Sequence, residues 1–262
     1  MSNLPVPPNR LRAALQEGRL CVGTMLVDVR QSSVMSILAN AGFDFVLIDN
    51  EHGQFGIETI SDLSRSARSE GITPIVRVPE LTYTAVAQAL DGGGQAIMLP
   101  RVTGPGPVEE CLRYMKYAPE GKRGAVLARS HTYFRTGPLL ETLAALNRES
   151  FLVVQIETAE AVEHLDQILA IRGVDAALIG PTDLSVSLGV GGQMEHPALV
   201  EAIERTLAAC TRHRVVPAIH TNDTAMTASW ARRGFRMVSI NSEVGLLTWA
   251  GRQAVSTIRA PD

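Results

Sequence analysis

The sequence predicts an α/β fold, a closed (β/α)8 TIM barrel, on three observations. Short β-branched apolar runs alternate along the chain with amphipathic segments of helical period, and strands separated by helices imply right-handed βαβ crossovers and a parallel sheet. Eight such units fill the 262 residues, the usual size of a closed barrel. Several apolar runs stop abruptly at polar residues, the only place where a strand buried on both faces has room for them. An open doubly wound sheet is the rival. Against it, no Gly-x-Gly-x-x-Gly follows the first strand, no Walker sequence is present, and Gly92, Gly93 and Gly94 precede a strand, the wrong side for a phosphate loop.

In order, a short helix over 9–17 leads to strand one over 21–27. A helix over 33–41, with Val34, Ile37 and Leu38 on one stripe, ends at Gly42. Strand two covers 45–48, a helix 57–69, strand three 74–78, a helix 83–90 and strand four 96–99. A helix over 108–117 is followed by a polar, irregular excursion over 118–137 that holds Arg123, Arg129, His131 and Arg135; long irregular segments in compact domains are more often functional than accidental. A helix over 139–147 feeds strand five at 151–156, and a helix over 159–171 precedes strand six at 174–179. The helix over 197–213 carries Leu199, Ile203 and Leu207 at spacing four, with Pro197 suited to its first turn. Strand seven (215–219), a helix over 223–233, strand eight (237–240) and an apolar helix over 244–258 complete one barrel domain spanning 1–262.

A formal charge of −3 and basic runs no longer than two residues argue against nucleic acid as partner. Cys21, Cys111 and Cys210 lie too far apart for a disulfide framework or a zinc spacing, which suits a reducing compartment, and they read as small core residues. The start carries Pro5, Pro7 and Pro8 and no apolar run, and no stretch approaches the roughly 18 apolar residues of a membrane span. The expectation is a soluble, cytoplasmic protein.

In such a barrel the active site lies at the carboxyl ends of the strands. The polar residues expected there are Asp49, Glu51 and His52 after strand two, Arg77 on strand three, Arg101 after strand four, Gln155 and Glu157 on strand five, Thr182, Asp183 and Ser185 after strand six, His220 and Thr221 on strand seven, and Ser239 and Asn241 on strand eight. Glu157 and Asp183, at the ends of successive parallel strands, are a plausible seat for a divalent cation, with Mg²⁺ or Mn²⁺ favoured over zinc by the hard oxygen set. By position alone they serve equally well as helix caps or first-turn acids. Arg77 suits an oxyanion or an ion pair with Glu51, His52 suits proton transfer or a backbone hydrogen bond, and His131 is expected at the surface.

Four of these stretches, Leu47-Ile-Asp-Asn-Glu-His52, Val76-Arg-Val-Pro79, Val154-Gln-Ile-Glu-Thr158 and Ile179-Gly-Pro-Thr-Asp-Leu-Ser185, resemble the signatures of the HpcH/HpaI aldolases, class II metal-dependent pyruvate aldolases, in order and over nearly the whole chain. The resemblance implies Glu157 and Asp183 as metal ligands, Arg77 on the keto oxygen and pyruvate enolate, His52 in acid–base transfer and Asp91 as its paired acid. It implies Gly180, Pro181 and Thr182 as the turn that holds the pyruvate carboxylate, Gln155 as a hydrogen-bonding group, and Arg129 at the far end of a dicarboxylate substrate. It also implies a divalent cation (Mg²⁺ or Mn²⁺, with Co²⁺ or Zn²⁺ as further choices), no organic cofactor, 2-oxoacid and aldehyde substrates, and a homo-hexamer, a trimer of dimers with exchanged C-terminal helices. The absence of a Schiff-base lysine agrees: the only lysines are Lys116 and Lys122, neither at a strand end. The aldehyde stays open among succinic semialdehyde, tartronate semialdehyde, lactaldehyde and longer sugar-derived aldehydes. The competing readings are a citrate-lyase-like enzyme acting on an acyl-CoA thioester and a barrel that binds a keto acid without turning it over.

Overall fold

The expected apolar runs form eight parallel strands that close on one another in chain order in the computed structural model, which describes residues 4–260. The elements are α1 (Arg10–Gln16), β1 (Cys21–Leu26), α2 (Val34–Asn40), β2 (Phe45–Asp49), α3 (Ile57–Ser69), β3 (Thr73–Arg77), α4 (Tyr83–Asp91), β4 (Ala96–Leu99) and α5 (Pro105–Met115). After the 118–137 excursion, which contains one 3-10 turn at Ser130–Thr132, come α6 (Leu139–Glu149), β5 (Phe151–Ile156), α7 (Ala159–Glu163), α8 (Leu165–Leu169), β6 (Ala176–Ile179) and α9 (Pro181–Ser187). The chain then runs through α10 (Pro197–His213), β7 (Val216–Thr221), α11 (Thr224–Arg232), β8 (Met237–Ser242) and α12 (Glu243–Arg259). β8 returns to pair with β1, with a register shift between Gly23 and Met25. Closure leaves no strand edge exposed.

Alternation along each strand divides the core into two layers. Phe45, Leu47, Ile75, Met98, Phe151, Val153 and Leu178 fill the barrel. Val46, Ile48, Val76, Ile97, Leu152 and Val154 face outward against the helices. Each fully buried large apolar side chain contributes roughly 1.5–3 kcal/mol. At the amino end of the barrel Leu11 and Ala14 of α1 join the interior cluster, and Asn9, which caps α1 by accepting from the Arg12 N–H, also donates to the Gln95 and Glu149 carbonyls. α1 therefore plugs the base of the barrel. All three cysteines are buried and free.

Two helices depart from the sequence expectation. The 159–171 helix is broken at His164, whose Nδ1 sits 3.0 Å from both the Thr103 and Glu160 carbonyl oxygens. The Gly180 turn opens an extra helix, α9, with Pro181 in its first turn. No helix among the described residues is long and apolar enough to cross a membrane. α12 lies open: Leu247, Trp249 and Ile258 are 73%, 63% and 83% exposed.

Candidate active site

The same alternation decides which side chains meet at the open end. Leu47, Ile75, Val153, Leu178, Ala218 and Met237 lie inside the barrel. Two residues further along each strand come Asp49, Arg77, Gln155, Gly180, His220 and Ser239, which form the next inner layer.

Register sets the strongest contact. Asp49 and Arg77 are paired neighbours on β2 and β3. The guanidinium grips the carboxylate side-on, Nε to Oδ1 at 2.8 Å and Nη2 to Oδ2 at 2.6 Å, while Nη1 lies 3.0 Å from Glu51 Oε2. Both partners are buried. Burial pushes the Asp49 carboxyl up, but the Arg77 guanidinium and the N–H groups of Glu51 and His52 outweigh it and hold it below its ordinary value. Burial opposes the Arg77 charge, and the carboxylates of Asp49, Glu51 and Glu157 more than restore it. The sequence named Glu51 as an ion-pair partner of Arg77. It missed Asp49 as the main one, although Leu47 to Asp49 and Ile75 to Arg77 are each one strand period.

Glu157 follows β5 and is buried. It accepts from the Arg101 N–H at 2.7 Å and from Gln155 Nε2. It is not a helix cap: Thr158 takes that place, accepting from the Ala161 N–H. Burial, joined by the negative charges of Glu51 and Asp183, pushes its carboxyl up to about 7. Arg101 serves through its backbone, held at φ 53°, and its side chain is exposed. Asp183 is a first-turn acid of α9 and is exposed, as is Thr182, while Pro181 is buried. Gly180 faces Gln155 and Glu157: a Cβ there would stand 3.2 Å from Gln155 Nε2 and 3.4 Å from Glu157 Oε2. His52 projects into solvent, its side chain 70% exposed and its Nε2 4.0 Å from Glu51 Oε2.

His220, left without a role by the sequence, belongs to this layer. Its Nδ1 lies 2.9 Å from Ser239 Oγ. Burial, then the charge of Arg77, lowers its pKa to about 4, so at neutral pH it offers hydrogen bonds rather than a proton.

Two expected site residues lie at the opposite end of the barrel. Asp91 closes α4, just before β4 begins. Its partners in the chain are Arg123, by a direct ion pair, and His131 Nδ1 at 3.9 Å, rather than His52. A helix between parallel strands runs back to the strand starts, so its last residue belongs to the base. Arg129 adjoins the Ser130–Thr132 turn, which receives a hydrogen bond from Arg68 near the end of α3 to the Ser130 carbonyl at 2.8 Å. Arg129 is exposed there, remote from Arg77 within the chain. His131, expected at the surface, is buried, with Nε2 3.1 Å from the Val126 carbonyl and 3.4 Å from the Tyr117 hydroxyl.

A family model, HpcH/HpaI aldolase/citrate lyase, matches residues 24–250. The chain belongs to this family. It is 33% identical over 251 residues to a hydroxypyruvate/pyruvate aldolase of Roseobacter denitrificans, covering 95% of this chain and 96% of that protein. It is 32% identical over 244 residues to a 4-hydroxy-2-oxo-heptane-1,7-dioate aldolase of Escherichia coli, covering 92% of each. Among solved structures, an HpcH/HpaI aldolase from Desulfitobacterium hafniense superposes with a TM-score of 0.92 at 35% identity, over 96% of this chain and 97% of that one.

Proposed function

We propose that this chain is a metal-assisted aldolase that cleaves a 4-hydroxy-2-oxoacid between C3 and C4 to pyruvate and an aldehyde, and runs the reverse addition. The observation that carries the reading is the convergence at the open end of the barrel of Arg77, Gln155 and Gly180 from one inner layer with Glu157, which touches Gln155 and Gly180. The relative's name adds hydroxypyruvate as a second donor worth testing.

The residues fit a divalent cation. Gln155 Oε1 is buried without a partner, and the Glu157 carboxyl is raised first by burial and then by the negative charges of Glu51 and Asp183, both of which a cation would offset. Two carboxylates, Glu157 and Asp183, would hold the ion and leave positions open, the habit of Mg²⁺ or Mn²⁺ rather than structural zinc. When bound, the cation supplies a Lewis acid for the keto oxygen.

The chain's own groups do the rest. The Gly180–Pro181–Thr182 turn receives the substrate carboxylate on the Thr182 N–H in the first turn of α9, since Pro181 has no N–H and that of Gly180 is given to the Ile156 carbonyl. As the C3–C4 bond breaks, its electron pair moves toward C2 and negative charge gathers on the keto oxygen, where Arg77, held rigid by Asp49, stabilises it without reorganising. The C4 hydroxyl proton passes to the His52 imidazole. The aldehyde leaves, and a proton returned to C3 gives pyruvate.

Asp91 and Arg129 reach such a centre only in another copy of the chain. We assign them to a neighbouring subunit's site in a homo-oligomer of trimer-of-dimers type, with the exposed apolar side chains of α12 as contact surface.

The test is pyruvate release from 4-hydroxy-2-oxoheptanedioate and from 2-keto-3-deoxy sugar acids with Mg²⁺ or Mn²⁺, with EDTA, and with Glu157→Ala. Release that needs the metal and vanishes in the variant supports the reading and ranks the aldehydes. No release from any of them with Mn²⁺ bound moves the assignment to a thioester lyase or a binding protein.

A further inference from the structure

Glu243 takes no part in the chemistry above, yet it is built into the same end of the barrel. It is the first residue of α12 and the one residue described as buried on that helix. Its Oε1 accepts from the backbone N–H groups of Val27 at 3.0 Å, Asp28 at 2.7 Å and Val29 at 2.9 Å, and its Oε2 accepts from Val27 at 3.0 Å. Three successive amides thus converge on one carboxylate, an anion nest whose anion is a side chain of the protein. Among the described residues no Lys, Arg or His pairs with it, so the loop N–H groups, together with the amino end of α12, compensate its charge.

The entry to Glu243 is fixed from the β8 side. Thr24 Oγ1 donates to the Ile240 carbonyl at 2.9 Å, across the register shift between β1 and β8. Asn241 sits at φ 52°, its side chain accepts from the Ser242 N–H at 2.8 Å, and Ser242 caps α12 by accepting from the Gly245 N–H. The loop that Glu243 holds in turn meets the loop that carries His52. A Cβ on Gly53 would stand 2.0 Å from the Asp49 carbonyl oxygen and 3.1 Å from that of Val27, so residue 53 is wedged between the end of β2 and the nested loop.

We propose that Glu243 is a positioning residue for the aldolase reaction: by fixing residues 27–29 against Gly53 it sets where the His52 imidazole stands over the site, so that the seat of the terminal helix is part of the active-site geometry. This rests on the reading of His52 as the proton-transfer group.

The experiment compares Glu243→Gln, Glu243→Asp and His52→Ala with the wild-type protein in full-length, metal-loaded form. Steady-state kinetics and hydrogen–deuterium exchange are read together. Glu243→Gln keeps the shape and removes the charge that gathers the three amides. The expected result is a kcat lower by about tenfold, the scale of a small misplacement of a reacting group. KM for the 2-oxoacid should change little, because Arg77, Glu157 and α9 are untouched. Exchange should rise in 27–29 and in 51–53 and stay unchanged in β3, and Glu243→Asp should recover part of both effects. Faster exchange in 27–29 alone with kcat unchanged overturns the proposal, as does a parallel loss of kcat, KM and β3 protection, which is general loosening. If Glu243→Gln does not fold, the same readings on Glu243→Asp decide. Wild-type kcat in His52→Ala would instead remove the role of His52 and leave the loop geometry standing.

Discussion

The two ends of the barrel carry the same kinds of side chain to different effect. At the carboxyl end, Asp49 pairs with Arg77 and His52 stands nearby; at the base, Asp91 pairs with Arg123 and His131 stands nearby. At the base the histidine is buried between Tyr117, Val126 and Asp91, with its pKa lowered by burial and then by Arg123. At the open end the histidine is exposed to solvent, the carboxylates of Asp49, Glu51 and Glu157 act on one guanidinium, and Asp183 adds its charge to Glu157. The lesson is that an ion pair beside a histidine is not by itself a site. Buried polar atoms without a partner occur at both ends, Gln155 Oε1 at one and Arg123 Nε and His131 Nδ1 at the other; the surplus of carboxylates sets the open end apart, because it leaves work for a ligand to do.

The contrast breaks most directly at Arg77. Arg77→Met should lower kcat/KM by about 10²–10³-fold, the scale of removing a preorganised oxyanion donor, and should cost about 3–5 kcal/mol of stability because Asp49 is left buried and unpaired. Adding Asn at position 49 should return stability but not activity. Chemical denaturation and pyruvate release read the two effects, and near-normal turnover by Arg77→Met would remove Arg77 from the mechanism.

The base is sharpened by mixing subunits. Asp91→Asn should lower kcat by at least about tenfold. Refolding it with Glu157→Ala subunits in equal amounts should recover up to about a quarter of wild-type activity if each centre draws Asp91 from one neighbouring copy. Recovery no greater than the sum of the two variants would return Asp91 to a structural role.

Glu157 ties the charge surplus to pH. With its carboxyl raised from 4.5 to about 7, the cation must displace a proton below that value, so affinity for Mn²⁺ should fall about tenfold per pH unit below 7. The sign for the metal-free protein follows from the same shift. The raised group favours the folded state below its unfolded value of 4.5, and that contribution, about 3 kcal/mol in full, is lost as pH rises through about 7. Titration calorimetry from pH 7.5 to 5.5 that shows flat affinity would contradict the first statement.

Gly180→Ala should be the mildest change. Its Cβ would crowd Gln155 Nε2 at 3.2 Å, so KM for the 2-oxoacid should rise a few-fold with a stability change under about 1.5 kcal/mol. An unchanged KM would place the substrate carboxylate away from this turn.

Much of the open end was legible in sequence because a doubly buried strand announces its end by its first strongly polar residue. That rule located Arg77, Gln155 and Glu157, and the four signature stretches supplied the family. It did not locate the partner of Arg77, because Asp49 lies 28 positions away and the two meet only through the register of β2 on β3. Nor did it show that Asp91 and Arg129 lie at the opposite end of their own barrel from Arg77, because linear order does not say at which end of a barrel a loop lies.

The sequence by itself determined the eight strand–helix units, since each rests on local periodicity, and the inner position of the residues that end the strands, since alternation is a property of the single strand. Tertiary structure alone decided how those residues act: the register of β2 on β3 brought Asp49 to Arg77, closure of β8 on β1 brought Glu243 to the loop after β1, and packing raised Glu157 while it neutralised His220. Burial and charge neighbourhood are sums over residues distant in the chain, and no local pattern carries them.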